Sequence, residues 1–525
     1  MKFSFYPELH IASTQNEDSS TALKVNTLLQ NIKQKQPAIN AFLGARYSRS
    51  IDSITEIAKE VYTSGKDASK RLESIFFGYG HKSVGDMAEL FLTLENVPML
   101  VAQRTFYSIP VHAGQERSTR YQNFSKPNFV SLPAEINLSP ELKKEYAAIQ
   151  DNILAKYNEL LPKTYQQLKE FHNIEDSEKQ AIGALQARAF DTARYLLPLG
   201  LRTSLAVVTS ARLWSDYIGI WRASSLSVER EMAELIYSLL TYEDPKGEYL
   251  PEADALIRHT EANPNRKETA NAFLTKLQKY LKSAATKLRT LGTSSRFAGE
   301  PLKELIYKIA LLKNPNFSID DVKLSDAQLT EISEIIIAAH DHHHGLGNLA
   351  QTGHILIEGY TDYGTLKDLV RHRSLERFIP FYEEHYDLIS NLAQTKDLFS
   401  LCPYLEHENF LELKQEYIEV LNNHYAKVIS WLLKAEKTIT TDQLNEFGRY
   451  LLPHAHNLKY LFAGSLDDLN YTIRLRSRNG GHIGYRAEMA KWSDALASNS
   501  KYWSLLAAKL PTVDAFSREQ FIDRS

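Results

Sequence analysis

Three polar side chains alternate in the segment QERSTRY (115–121), where Glu116, Ser118 and Arg120 are separated by one residue each. In an extended chain, alternate residues point to the same side. The segment would then present a carboxylate, a hydroxyl and a guanidinium fork together. Such a set suits a ligand with an anion at one end and a polar ring at the other. A solvated polar loop is the alternative reading of the same residues.

A second candidate group is Arg371-His372-Arg373, at the end of the apolar helical pattern LKDLVRHR. Two arginines flanking a histidine could hold a phosphate or the edge of a flavin ring. Cations at a helix C-terminus are also favoured by the helix dipole, so helix capping is the alternative.

Further arginines follow apolar helical stretches. Arg194 and Arg449 each precede Y-L-L-P, and Arg476 lies in TIRLRSRNGG. On a continuous helix Arg474 and Arg478 would share a face from which Arg476 is excluded. For any one of these arginines, a surface salt bridge remains the alternative.

The sequence offers little support for other common chemistries. The cluster His340-Asp341-His342-His343-His344 could ligate a metal, but no downstream His/Asp array completes a familiar motif. We therefore predict no metal and keep a metal-dependent hydrolase as a minor alternative. The sequence contains no dinucleotide-binding glycine motif, Walker loop or G-x-S-x-G elbow. Cys402, in SLCPYLEH, lacks an evident activating neighbour.

The elements that must position these residues occur twice. ARYLLP (193–198) recurs as GRYLLP (448–453), each after a long apolar-periodic stretch and before another helical segment. Upstream of each copy, the pattern predicts a His/Gly turn, a strand and a helix. The predicted strands are Leu90–Leu94 and Ile355–Ile357, and the predicted helices are Met99–Tyr107 and Tyr363–Arg373.

Four matches in one order indicate a duplication, with chance similarity of helix-rich segments as the alternative. The predicted fold class is a helix-rich α/β (α+β) protein with two tandem halves, each a small sheet with long helices. The stretch between the copies is rich in Pro, Asn and charged residues, which is typical of a linker or an irregular connection. The predicted domains are 1–241, a linker at 242–273, and 274–525.

Composition limits the class of protein. The 525 residues are 43% hydrophobic and 24% charged, which excludes a mostly disordered chain. The net charge of -3 gives no whole-chain basic surface for nucleic acid. A single cysteine excludes a disulfide framework and favours a reducing compartment. No apolar run reaches membrane-spanning length and the N-terminus does not read as a signal peptide, so we expect a cytoplasmic protein without a membrane partner.

The order G-H-x-S, strand, helix, E-x-S-x-R-Y and A-R-x-x-L-P resembles the flavin-dependent thymidylate synthases (ThyX type). That family carries an R-H-R triplet before the E-x-S-x-R loop and an L-R pair one helix after A-R-x-x-L-P. The resemblance covers roughly 75–240 and 340–495. Family members are shorter, with one copy per chain, and form tetramers whose active sites are shared between subunits. The resemblance therefore implies a fused pair of family-like units.

The two copies diverge in complementary ways. The first keeps the loop as Glu116, Ser118 and Arg120, but has Tyr107-Ser108-Ile109 at the triplet position. The second keeps the triplet Arg371-His372-Arg373 and the pair Leu475-Arg476, but has SLERFIPFYEEH in place of the loop. We favour the hypothesis that both halves contribute to one composite active site. The alternative hypothesis is that both halves have lost catalysis.

The resemblance also implies the chemistry and the residue roles. The family reaction methylates dUMP to dTMP, with methylenetetrahydrofolate as one-carbon donor and FAD carrying hydride from NADPH. The resemblance assigns catalytic roles to Ser118, Glu116 and Arg476. It assigns substrate binding to Arg120, Ser118, Arg194, Arg449 and Arg476. It assigns cofactor binding to Arg371, His372, Arg373, His81 and His343.

Two departures from the family pattern bear on these roles. Ser210 and Ser465 replace the family's usual Asn on the helix after A-R-x-x-L-P, and Asp86 or Asn348 replaces the family's glutamate after G-H-x-S. These losses leave open another methyl acceptor, or a non-catalytic or altered-specificity nucleotide- and flavin-binding protein. By the same resemblance, we expect a homo-oligomer, a dimer of fused chains.

Overall fold

A computed structural model describes residues 2–6, 9–13, 23–28, 36–48, 50–63, 82–241, 256–262, 293–298, 301–312, 314, 316, 318–339, 351–384 and 386–523. Within these residues the chain forms two antiparallel sheets and many helices, which confirms the helix-rich α+β fold class. Among the described helices, none combines the length and the apolar composition that a bilayer-spanning segment needs.

The first sheet has the order β1-β2-β3-β4-β6-β5. Its strands are β1 Lys2–Tyr6, β2 Leu9–Ser13, β3 Lys24–Leu28, β4 Glu89–Pro98, β5 Ala113–Glu116 and β6 Arg202–Ser210. Buried and partly exposed residues alternate along β6, as expected for a strand with one face on a core. The central pair β4 and β6 holds the short strand β5 at the edge of the sheet.

The second sheet has the order β7-β8-β10-β9. Its strands are β7 Ser294–Ala298, β8 His354–Asp362, β9 Glu376–Phe378 and β10 Asn457–Gly464. The arrangement repeats β3-β4-β6-β5 of the first sheet, strand for strand. Each half therefore places a short edge strand beside the strand that follows its R-Y-L-L-P segment.

Helices surround both sheets. In the first half they are α1 Gln36–Tyr47, α2 Ile54–Thr63, α3 Met99–Ser108, α4 Pro140–Phe171, α5 Lys179–Ala193, α6 Ala211–Arg222 and α7 Ser227–Thr241. In the second half they are α8 Pro301–Leu311, α9 Asp326–Ala339, α10 Tyr363–Leu369, α11 Leu388–Gln394, α12 Leu411–Ala435, α13 Thr441–Leu451, α14 Leu466–Arg476, α15 Ile483–Ala497, α16 Lys501–Ala507 and α17 Arg518–Ile522.

The predicted strand, helix and long helix upstream of each R-Y-L-L-P segment are found in that order, with one helix shorter than expected. The prediction of a helix directly after each R-Y-L-L-P segment is wrong, because β6 and β10 come first and α6 and α14 follow them. In both halves a strand leads into a helix, a short strand, a long helix and a second helix that ends just before or within the R-Y-L-L-P segment; in the second half the short helix α11 precedes the long helix. The helix predicted over Tyr363–Arg373 ends at Leu369, and Val370 is its C-cap. Arg371, His372 and Arg373 therefore lie in the turn that follows α10.

The two R-Y-L-L-P segments pair with each other across the middle of the molecule. The Leu199 N–H donates to Leu452 O at 2.8 Å, and the His454 N–H donates to Leu197 O at 2.9 Å. Gly200 allows the close approach, because a Cβ there would lie 2.8 Å from the Cβ of Tyr450. This joint fixes the position of one half against the other.

Two of the hydrophobic cores contain residues from both halves, and the long helices α4 and α12 pack against each other. Tyr146 of α4 lies with its ring 5.2 Å from that of Trp431 of α12. Thr164 and Tyr417 are joined by a buried hydrogen bond of 2.9 Å between the same helices. The halves are therefore held by apolar burial as well as by backbone pairing.

Part of the predicted linker packs on the first half. Within 242–273, the structure describes 256–262, where Leu256 and Ile257 are buried in the first-half core. The Arg222 guanidinium of α6 donates to Thr260 O at 2.8 Å. The domain limits 1–241, 242–273 and 274–525 remain a prediction.

Candidate functional site

Glu116 joins the two halves. It is the last residue of β5, and its side-chain carboxylate is fully buried. Lys367, on α10 of the other half, places its Nζ 3.3 Å from this carboxylate. Arg371 Nη2 lies 3.8 Å from the same group, and Gln103 of α3 donates to it. The loop of the first half and the triplet of the second half therefore meet.

Arg371 is partly exposed at this junction. Its side chain is 30% exposed, and its guanidinium carbon lies 5.6 Å from the centre of the Phe106 ring. Its buried Nε has no hydrogen-bond partner in the described part of the chain. Arg371 thus retains hydrogen-bonding capacity next to Glu116.

His372 and Arg476 contact each other directly. Arg476, the last residue of α14, donates from Nε to His372 Nε2 at 2.6 Å. Burial, with Arg476 and Arg377 nearby, lowers the pKa of His372 to about 3, so the ring is neutral near pH 7 and can accept this bond. The Arg476 guanidinium also lies 5.0 Å from the Tyr485 ring centre. The triplet and the predicted L-R arginine are therefore brought together.

Arg373 is exposed in the same turn. It lies close enough to His112 to act on that ring, whose pKa is lowered to about 4, first by burial and then by Arg373, Arg377 and Arg371. Arg373 is thus the outermost cation of the triplet.

The E-x-S-x-R loop is not extended, which corrects the expectation that its three side chains share one side. Only Glu116 lies in a strand; the chain turns at Ser118, whose carbonyl accepts from the Tyr121 and Gln122 N–H groups. The Ser118 hydroxyl accepts from the Arg120 N–H at 3.2 Å. A polar run with Ser and Thr favours such turns over a strand.

Arg120 points to α5. Its Nε and Nη2 donate to the two oxygens of Asp191, at 2.8 and 3.0 Å. Asp191 is fully buried, and although burial would raise its pKa, Arg120 and other nearby charges lower it. This forked pair anchors the loop and leaves Nη1 outside the pair.

Arg194 lies at the centre of the junction. It follows α5 and is 1% exposed. It donates to Thr119 Oγ1 at 3.2 Å and to Gly364 O at 2.9 Å, and its Nη2 lies 3.4 Å from Asp368. Arg194 thus contacts the loop of its own half and the first turn of α10.

Arg449 lies apart from this group. It is buried in α13 and donates to Asn445 O at 3.0 Å and to Phe381 O at 2.9 Å, both in the second half. The segment after β9 replaces the E-x-S-x-R loop there. The structure therefore places Arg194 against the loop that contains Ser118, through Thr119, and Arg449 at a second, related junction.

Some predicted residues lie outside the described residues. These are His81, His343 and the whole cluster His340–His344. Among the described side chains, no group of three or more His, Cys, Asp or Glu residues could hold a metal ion.

Sequence reasoning missed three charged residues of the junction and one buried histidine. They are Lys367, Asp368, Asp191 and His482. Asp191 lies three residues before Arg194, and Lys367 and Asp368 lie one turn before the triplet, so proximity to recognised motifs was an available signal. Burial would raise the pKa of Asp368, but Arg194 and Arg371 hold it below its usual range.

A cavity of about 810 Å³ lies elsewhere in the second half. Its wall includes Asp362, Phe399, Glu488 and Lys491. None of the predicted site residues within the described ranges contributes to this wall.

The chain is similar to known proteins over both parts of its length. The model of the thymidylate synthase complementing protein family (Thy1) matches residues 27–246. A UPF0159 protein of Chlamydia pneumoniae is 22% identical over 500 residues, covering 87% of this chain and 86% of that protein. The UPF0159 protein Ta1429 of Thermoplasma acidophilum is 22% identical over 488 residues, covering 85% of this chain and 89% of that protein.

Two solved structures show weaker similarity. One is the UMP/dUMP methylase PolB from Streptomyces cacaoi bound with 5-Br dUMP, with 10% identity and a TM-score of 0.31, covering 42% of this chain and 96% of that one. The other is Thymidylate Synthase X from Helicobacter pylori with FAD and dUMP, with 15% identity and a TM-score of 0.26, covering 43% of this chain and 94% of that one.

Proposed function

We propose that the chain is a flavin-dependent thymidylate synthase-like enzyme, because the model of the thymidylate synthase complementing protein family matches residues 27–246. The reaction would be the reductive methylation of dUMP to dTMP, with methylenetetrahydrofolate and NADPH as co-substrates. One composite site, formed by the Ser118 loop and the Arg371–Arg373 turn, would carry it. The observation behind this proposal is the contact of Glu116 with Lys367 and Arg371.

The charges at the junction favour an anionic ligand. The cations are Arg120, Arg194, Lys367, Arg371 and Arg476, and the anions are Glu116, Asp191 and Asp368. The excess of positive charge matches a phosphate group. Ser118, Arg120 Nη1, Arg194 and Arg476 would bind the nucleotide, and Glu116 would orient the loop.

The residues of the turn fit a flavin. Arg371 has a buried nitrogen without a partner in the described chain, Arg373 is exposed, and neutral His372 is held by Arg476. These groups, with His81 and His343, would contact FAD, which would supply hydride transfer when bound. Arg476 would stabilise negative charge on the pyrimidine, because a guanidinium fixed in place needs little reorganisation.

A non-catalytic nucleotide-binding protein is the second candidate. It is favoured by two observations: Asp191 already accepts from Nε and Nη2 of Arg120, and Asp368 lies 3.4 Å from Arg194. Such a protein would bind dUMP without turning it over.

The assembly and origin of the chain follow as proposals. The matching strand orders support a tandem duplication of one ancestral unit. Two such chains would rebuild a four-unit assembly, so a cytoplasmic dimer is the expected form.

Reconstitution with FAD tests the proposed function. The full chain should retain FAD after removal of free flavin, show flavin absorbance, and form dTMP from dUMP with methylenetetrahydrofolate and NADPH. A chain that binds dUMP but forms no dTMP with bound FAD supports the second candidate instead. If the chain binds neither FAD nor dUMP, both candidate functions are rejected.

A further inference from the structure

The second junction is built like the first but with the charges reversed. Arg104 is the sixth residue of α3, and Asp368 is the sixth residue of α10. At the first junction the loop after β5 supplies a cation, Arg120, whereas at the second the chain after β9 supplies a carboxylate, Glu384. The second junction thus has an anion in its loop and a cation on its helix.

Glu384 is held by two donors from the first half and lies beside the Ser224 hydroxyl, whose shorter hydrogen bond, of 2.6 Å, goes to Glu229 Oε2. Its Oε1 accepts from Arg104 Nη2 at 2.8 Å and lies 3.3 Å from the Ser224 hydroxyl. Its Oε2 accepts from the Ser225 backbone N–H at 2.8 Å, just before α7. A guanidinium, a hydroxyl and a backbone N–H are the groups that proteins use to bind phosphate oxygens.

We propose that the second junction is an oxyanion-binding site for phosphate-bearing ligands that this chain closes with its own Glu384 carboxylate. The ligand class is inorganic phosphate or a phosphomonoester. This inference rests on the second junction alone, and it holds whether or not the first junction is catalytic.

Arg104 does not depend on Glu384 for its charge balance. Its Nε and Nη2 donate to the two oxygens of Glu229 at 2.7 and 3.0 Å, and the Glu229 side chain is 1% exposed. Arg104 also donates to Tyr382 O. Removal of the Glu384 side chain would therefore leave the guanidinium paired and in place.

Glu384 can be displaced more easily than the groups around it. Its side chain is 29% exposed, against 6% for Arg104. Arg449 is fully buried and near enough to Arg104 and Glu384 to interact with both charges, and its Nη2 has no partner among the described residues. Without Glu384, Arg104 would keep its pair with Glu229, while Arg449 donates to backbone carbonyl groups, which leaves positive charge for an entering anion.

A thermal unfolding experiment on the full chain tests this inference. The variants are Glu384→Ala, Glu384→Gln and the control Glu376→Ala, an exposed residue of β9 in the same half. Each is heated in sodium phosphate and in sodium chloride of equal ionic strength. We expect phosphate, compared with chloride, to raise the Tm of Glu384→Ala by about 2 °C or more beyond the shift that it gives wild type and Glu376→Ala, because both of those also experience the general effect of phosphate and any binding at the first junction.

Two further results decide the matter. Adding Arg104→Gln to Glu384→Ala should remove the phosphate response, and equilibrium dialysis with labelled phosphate should show one more bound phosphate per chain for Glu384→Ala than for wild type. If Glu384→Ala does not fold, Glu384→Gln, which keeps the side-chain shape, should show the same response. Equal phosphate stabilisation of wild type and variant, or none in either, overturns the proposal.

Discussion

The carboxylate of Glu116 is buried between Gln103, of its own half, and Lys367, of the other half. A charge taken out of water is tolerated when an opposite charge and hydrogen bonds replace the lost solvation. Burial lowers the pKa of Lys367, and Glu116 opposes that effect. Because Lys367 belongs to the second half, the position of the loop that begins at Glu116 depends on contacts with that half.

Lys367→Met should destabilise the protein by about 3 kcal/mol, because it leaves a buried carboxylate without its nearest cation. The double variant Glu116→Gln/Lys367→Met should lose clearly less than the sum of the two single variants. Urea unfolding of the four proteins measures this coupling. Lys396→Met, at an exposed position, serves as control and should change stability by less than about 0.5 kcal/mol. Additive losses would show that the two residues do not interact.

At the residue scale, sequence reasoning found the groups that carry recognisable motifs. It predicted the importance of Glu116, His372 and Arg476, which the fold brings into one region. It did not find Asp191 or Lys367, because a single charged residue in a helical pattern reads as a solvated position until its burial is known. Burial of these charges depends on contacts between residues far apart in sequence.

At the element scale, the start of α14 determines where Arg476 lies. Ser465 is the N-cap, and it forms a capping box with Asp468. Ser210 plays the same part for α6, where its hydroxyl accepts from the Leu213 N–H. The two serines that depart from the family's Asn are therefore helix caps, a role that Asn can also fill.

Ser465→Ala should cost about 1 kcal/mol through loss of the cap, whereas Ser465→Asn should stay close to wild type. Chemical unfolding gives the stability of both variants. Circular dichroism then separates loss of the cap from a wider loss of helix. Equal losses for Ala and Asn would contradict a capping role.

The lengths of short elements were the least predictable part of the fold. Periodicity predicted α3 closely, as Met99–Tyr107 against the observed Met99–Ser108. The sequence pattern predicted too long a helix for α10 and an extended segment where the chain turns at Ser118. A local pattern does not indicate where tertiary contacts end an element.

At the scale of the whole molecule, the charges of the junctions favour pairing of unlike halves. If two first halves paired, Arg120 would approach Arg104, and if two second halves paired, Glu384 would approach Asp368. Like charges at close range are unfavourable. The observed arrangement sets Arg104 against Glu384, and Asp368 near Arg120.

Acid should weaken the whole structure through its buried histidines. Burial lowers the pKa of His424 and His456 to about 4, and of His372 and His482 to about 3. The unfolded chain, with pKa values near 6.5, then binds more protons than the folded one, so stability falls as pH drops from about 6.5 towards 4. Each such histidine adds up to about 1.4 kcal/mol per pH unit.

Urea unfolding between pH 7 and pH 4.5 measures this slope. His424→Gln should lower the number of protons taken up on unfolding by one, and the slope of stability against pH should fall accordingly. His354→Gln, at an exposed position, should leave the slope unchanged. Stability that stays constant over this range would contradict the assignment of neutral buried rings.

The central claim is that one site takes its parts from both halves of one chain. Tritium release from 5-labelled dUMP, by the FAD-loaded full chain with methylenetetrahydrofolate and NADPH, tests it in wild type, Ser118→Ala, Arg371→Ala and the exposed loop control Arg117→Ala. We predict release by wild type and by the control, and a loss of at least about 100-fold in both other variants, with unchanged circular dichroism. Wild-type rates in either Ser118→Ala or Arg371→Ala, or no release by FAD-loaded wild type, would contradict it.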